Sequence, residues 1–68
     1  MTFQEILTEL LSGKKISSKS DFIVYFIRTN PKGIDMIYAY DPEEPEDHFT
    51  IKGFDLCEFK RTDWYVVT

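Results

Sequence analysis

Cysteine, histidine and tryptophan occur once each in this chain, and glycine and proline three times each. A single thiol, Cys57, excludes an internal disulfide, and no run of residues has metal-ligand spacing. The usual staples of a very small core are therefore missing, and self-association is the one that remains. The sequence also lacks a glycine-rich phosphate loop, a serine-histidine-acid set and a pair of catalytic carboxylates, so an enzyme is not expected. Basic charge is in the minority, with 8 Lys and Arg against 12 Asp and Glu and a net charge of −4. That excludes a general DNA or RNA binder, which needs a basic surface. No window approaches the roughly 18 apolar residues of a membrane span. A charged start followed by an apolar run is absent too, so no signal peptide is expected. With one thiol and no export signal, the expected compartment is the cytoplasm.

What the chain has is grease in the middle. Phe22 to Ile27 is an unbroken run of large apolar residues, β-branched or aromatic, and reads as part of a strand over Asp21 to Thr29. A strand with one wet face would alternate; this one does not, so cover is expected on both faces. Phe22, Val24 and Phe26 would lie on one side, and Ile23, Tyr25 and Ile27 on the other. The sequence offers one obvious helix as a lid, so the second cover is expected from another copy of the chain. A chain of 68 residues is a single domain and buries only about 60% of its unfolded surface. Aromatics make up 16% of it, enough material for a core and an interface.

The helix is predicted over Met1 to Ser12. Phe3, Ile6, Leu7, Leu10 and Leu11 recur at helical spacing. Thr2 and Glu5 have the spacing of a capping box, and Gly13 stands where a left-handed C-terminal cap belongs. Lys15 to Ser18 reads as a short strand with Ile16 inward, leading through small polar residues into the central strand. Asn30-Pro31-Lys32-Gly33 is a turn, and Ile34 to Tyr40 the antiparallel partner. Asp41 to Asp47, with five acids and two prolines, reads as a loop. His48 to Lys52 is the next strand. Asp55 would cap a helical turn with Leu56 and Phe59 facing in, and Trp64 to Val67 is the last strand. The expected fold is α+β: an N-terminal amphipathic helix packed on a twisted, mainly antiparallel sheet of four or five strands.

Isolated candidates for chemistry each have a plainer reading. His48 lacks an orienting partner and reads as a surface histidine. Cys57, near Lys60 and Arg61, lacks a base or a resolving thiol and reads as a half-buried structural residue. The acidic loop has prolines and no glycine where a calcium loop needs one, and reads as solvated. Its sharper reading is a patch that imitates nucleic-acid phosphates and blocks a basic surface. Phe22, Tyr25, Tyr38, Tyr40, Trp64 and Tyr65 are the aromatics able to stack on a base, and Lys14, Lys15, Lys19, Arg28, Lys60 and Arg61 the available phosphate partners.

The opening Met1-Thr2-Phe3-x-Glu5-Ile6-Leu7, followed by Leu10, Gly13-Lys14-Lys15 and Ile16, resembles the start of the Thoeris anti-defence 2-like family, small proteins of phages and prophages. Leu56, Glu58, Phe59, Asp63, Trp64, Val66 and Val67 resemble that family's ending. Ser17 to Asp21 departs from the family's basic segment and tryptophan, and the middle of the chain aligns with nothing in it. The resemblance implies a homo-oligomer, dimer or tetramer, with pockets between subunits. It implies a sponge that sequesters a nucleotide signal of bacterial immunity, a cyclic ADP-ribose variant or a cyclic oligonucleotide, without cleaving it and without a cofactor. On that reading Phe22 and Trp64 stack on the base, Lys19 and Arg61 meet phosphates, and Asp21 and Asp63 accept from ribose hydroxyls or base amines. The alternative is an acidic protein-binding inhibitor of a defence enzyme, acting through Glu43, Glu44 and Glu46.

Overall fold

Nine residues, Phe3–Leu11, form helix α1. Thr2 caps it from an extended conformation: its hydroxyl accepts from the Glu5 amide, and the Glu5 carboxylate accepts from the Thr2 amide. Gly13, at φ +96°, makes the left-handed exit that a side chain would resist. The computed structural model describes residues 1–67. After α1 come β1 (Lys15–Ser18), β2 (Val24–Thr29), β3 (Asp35–Asp41), β4 (Glu44–Ile51), the single helical turn α2 (Leu56–Phe59) and β5 (Trp64–Val67).

The strands form one sheet in the order β4-β3-β2-β1-β5, and every neighbouring pair is antiparallel. The apolar run thus lies in the middle strand, and the fold is the expected α+β arrangement of a helix on an antiparallel sheet. β5 reaches the far edge by passing back across the sheet through Phe54 and α2, which pack beside α1 on its side of the sheet.

Register separates the two faces. Ile16 stands opposite Tyr25 and Val66, and Tyr25 opposite Ala39. These residues meet Phe3, Ile6, Leu10 and Trp64 in one core, with Leu7, Ile23, Ile27, Ile51 and Phe54 at its margin. The rings meet edge to face: Phe3 lies 4.8 Å from Phe59, 5.0 Å from Phe54 and 5.6 Å from Trp64, centre to centre. Such pairs add about 0.5–1.5 kcal/mol each beyond their area. The opposite face carries Val24, Phe26 and Arg28 against Tyr40, Tyr38 and Met36, and Ser17 and Lys15 against Tyr65 and Val67.

Several expectations change. The central strand starts at Val24, because residues 19–21 form a turn and Phe22 turns left-handed, at φ +58°. Ser17 and Ser18, though small and polar, are interior: β1 sits between β2 and β5, and both side chains are fully buried. Asp41 to Asp47 is not a loop. The turn is confined to Pro42 and Glu43, and Glu44 to Asp47 open an edge strand with shifted pairing to β3. Proline and carboxylates are tolerated there because an edge strand has one unpaired side. Leu11, Leu56 and Phe59 are largely exposed, although Phe59 still touches Phe3. Cys57 is exposed rather than half-buried.

Among the described residues, no backbone layer covers the second face of β2. Val24 and Phe26 are nevertheless only 4% and 5% exposed. Rings and long cationic side chains of the same chain surround Phe26, and both residues are buried without a second copy.

Ile6, fully buried at the helix–sheet contact, is the most sensitive point of this core. Ile6→Ala should cost about 2–5 kcal/mol, most of the margin of so small a domain. Urea unfolding followed by the emission of Trp64, the sole tryptophan, measures it.

Candidate functional site

The turn between β1 and β2 and the segment between α2 and β5 lie some 40 residues apart in sequence and meet at one end of the sheet. Asp21 joins them. Its Oδ2 accepts from the Arg61 guanidinium at 2.8 Å and from the Tyr25 hydroxyl at 3.0 Å; its Oδ1 accepts from the Ile23 amide at 3.0 Å and from the Ser18 hydroxyl at 3.3 Å. Arg61 also donates to the Ser18 hydroxyl at 3.1 Å, and its guanidinium lies 5.7 Å from the Trp64 ring centre. Ser20 donates to Asp63 Oδ2 at 2.6 Å, and the Lys19 amide to the Asp63 carbonyl at 3.3 Å.

Electrostatics follow from this geometry. Burial pushes the Asp21 carboxyl up, but the hydrogen bonds from Arg61, Ile23 and Tyr25 outweigh it, and the group is held below its ordinary value. Burial first, and then the Asp21 charge, raise the Tyr25 hydroxyl well above its ordinary value. Burial opposes the charge on Arg61, yet its bond to Asp21 overcomes that and raises it. Asp21 is ionised, Tyr25 neutral and Arg61 charged across the physiological range.

The same network sets Phe22. Its amide donates to the Ser18 carbonyl at 2.8 Å, closing a single helical turn that ends on a left-handed residue. Glycine normally occupies that place, because a side chain there costs about 1–2 kcal/mol. Phenylalanine occupies it here and is 57% exposed. A strained backbone holding an exposed aromatic ring points to use of the ring rather than to packing.

Phe22 walls a groove of about 580 Å³, lined also by Asp21, Val24, Tyr40, Asp41 and Tyr65 among others. That volume lies within the range of small-molecule sites, roughly 300–1,000 Å³. The groove offers three aromatic side chains and a carboxylate rim formed by Asp41 and Glu43. Asp41 Oδ1 accepts from the Glu43 amide at 2.9 Å, which fixes the rim.

Of the six residues expected to meet a ligand, Phe22 is presented to the groove and Lys19 is exposed on the turn. Asp21 reaches the groove wall, but both its oxygens are engaged within the chain. Arg61 is committed to Asp21 and Ser18, so its role is structural here. Asp63 holds the turn through Oδ2, while its Oδ1 is buried without a partner. Trp64 has no face free for stacking: it is 1% exposed, and its Nε1 donates to the Glu58 carbonyl at 3.2 Å. Tyr40 and Tyr65 line the groove instead. The signal for them was the alternation of β3 and β5, which puts both on the face opposite the helix. Their convergence with Phe22 needed the sheet order.

Two outcomes test this arrangement. Replacing Asp21 by Asn removes charge-assisted bonds worth about 1–3 kcal/mol near neutrality. Because the folded carboxyl titrates below its unfolded value of about 3.9, that contribution is present above this pH and lost as pH falls through the folded value. Urea unfolding should therefore show the variant losing stability at neutral pH and converging on the wild type in acid. At position 22, Phe22→Gly should be more stable than Phe22→Ala by roughly 0.5–1 kcal/mol, the left-handed strain less the greater unfolded freedom of glycine.

Comparison with protein-family models, curated proteins and solved structures found no match to this chain.

Proposed function

We propose that the protein is a non-catalytic binding protein that withholds a cyclic nucleotide signal of bacterial immunity, in the manner of the phage anti-defence family its two ends resemble. The observation that carries the reading is Phe22: an exposed ring, held left-handed by the Asp21 network, on the wall of a groove sized for a small molecule. On this reading the base enters between Phe22, Tyr40 and Tyr65, where stacking contributes about 1–3 kcal/mol. The rim carboxylates Asp41 and Glu43 accept from base amines or ribose hydroxyls. The structural roles of Arg61, Asp63 and Trp64 leave them to shape the site from behind.

The groove is open to solvent. A second copy of the chain closing it would enclose the ligand, which is the homo-oligomer that the resemblance implies. Sequestration without turnover also sets a stoichiometric demand: the protein must exceed the signal, with Kd well below the signal's working concentration.

A specific observation favours a second reading. Glu44, Glu46 and Asp47 are all exposed on an edge strand, beside the exposed Asp41 and Glu43. Such a strip suits a basic protein surface, as an inhibitor of a defence enzyme would.

Purified protein incubated with cyclic ADP-ribose and with cyclic dinucleotides, washed and then heated, should release the bound compound intact. A cleaved product, or retention of none of these, would overturn the sponge reading. Reversing the charge of Glu44 and Glu46, which lie outside the groove, should leave that retention unchanged; loss of anti-defence activity with retention intact would favour the protein-binding reading. Sedimentation at micromolar concentration should give a dimer or tetramer, and a monomer would remove the assembly.

A further inference from the structure

The groove disfavours a phosphate. Its rim carries two carboxylates, and like charges about 4 Å apart repel by roughly 1 kcal/mol in water and about 4 kcal/mol at a protein surface. A ligand with a base in the groove must put its phosphate elsewhere, and the open sheet face beside the groove has the chemistry for it. Lys15 of β1, Arg28 of β2 and His48 of β4 gather around one ring, Phe26. The Lys15 Nζ lies 5.6 Å from the ring centre, the Arg28 guanidinium 5.2 Å, and the His48 ring 5.4 Å.

This ledge is continuous with the groove through Tyr40. Tyr40 lines the groove, stacks on His48 at 5.0 Å, and lies 5.4 Å from the Lys15 ammonium. All three nitrogen-bearing side chains belong to exposed residues. The chain has half as many acids again as bases, yet the ion pairs among the described residues are Lys14–Glu9 and Arg61–Asp21, and neither involves the ledge. Two cations from neighbouring strands thus lie against one ring, and neither is ion-paired among the described residues. We propose that Lys15, Arg28 and His48 form an oxyanion subsite that takes the phosphate or pyrophosphate group of the bound ligand, with Tyr40 as the floor between phosphate and base.

The inference rests on the nucleotide reading for what is attached to the phosphate, but the subsite's affinity for the anion stands by itself. Arg28 supplies a planar fork matched to phosphate oxygens, Lys15 a compact charge, and His48 a ring N–H donor. The plainer role of Lys15 and Arg28 is to cover Phe26 with their long side chains and keep water from it. Methionine preserves that cover and removes the charge, so the two roles separate.

The experiment is calorimetric titration of wild type and of the Lys15→Met/Arg28→Met double variant with inorganic pyrophosphate, ADP and adenosine at low salt. Trp64 emission verifies that both proteins are folded. Wild type should bind pyrophosphate and ADP, both weakening as salt is raised, and the double variant should bind them at least tenfold more weakly while adenosine is unchanged. Lys15→Arg should restore most of the loss to a Lys15→Met single variant. Equal binding of ADP by wild type and double variant would overturn the subsite and leave the nucleotide reading standing. Pyrophosphate binding that is lost in the double variant, in a protein that retains no cyclic nucleotide, would support the subsite and overturn the nucleotide reading. Absence of binding of both pyrophosphate and ADP to wild type would overturn the subsite.

Discussion

One helix cannot cover two faces of a sheet, and most of this structure follows from that. α1 has nine residues and so is about 14 Å long, while five strands side by side span about 19 Å. Even the helix-bearing face needs Phe54 and α2 to complete its cover, which is why the chain crosses that face before laying down β5. The other face has no layer among the described residues. Its residues Phe26, Tyr38 and Tyr40 pack ring against ring, with the charged ends of Lys15 and Arg28 over Phe26, and the face is consequently aromatic and cationic rather than plainly greasy.

The order β4-β3-β2-β1-β5 brings the β1–β2 turn against the segment entering β5. A single carboxylate, Asp21, fastens them, receiving four hydrogen bonds from four residues. It organises the end of the sheet in two ways. It neutralises Arg61, which would otherwise be a partly buried cation without a partner, and it fixes a turn in which the next residue is left-handed. The exposed ring of Phe22 is a by-product of no packing need; the network that holds it carries its strain.

Charge is segregated over a short distance. Carboxylates lie along the β3–β4 turn and the free edge of β4, while Lys15 and Arg28 lie over Phe26 with aromatic rings between the two regions. A ligand with an amine-bearing aromatic ring at one end and an anion at the other complements that pattern, and a simple anion or a uniformly basic peptide does not complement all of it. The nucleotide reading and the acidic-inhibitor reading thus make use of different parts of the same gradient.

The sequence by itself determined the local structure. Thr2 and Glu5 marked the start of the helix, Gly13 its end, and the apolar run within Asp21 to Thr29 the central strand, though not its start at Val24, because caps, left-handed exits and β-branched runs act over a few residues. Apolar spacing also pointed to an α+β arrangement, and composition to a small chain without disulfide staples. What only the tertiary structure decided was which residues are free. Trp64, Arg61 and Asp63 looked like ligand contacts, but the position of β5 beside β1 turns the tryptophan into core and spends the charges on the turn. The acidic stretch looked like a loop because proline and repelling carboxylates oppose a strand, yet an edge position satisfies both by leaving one side in water. Tyr40, Tyr65 and Phe22 converge, and Lys15, Arg28 and His48 gather, only through strand order and register, since pairings between distant segments leave no mark in the spacing of either one.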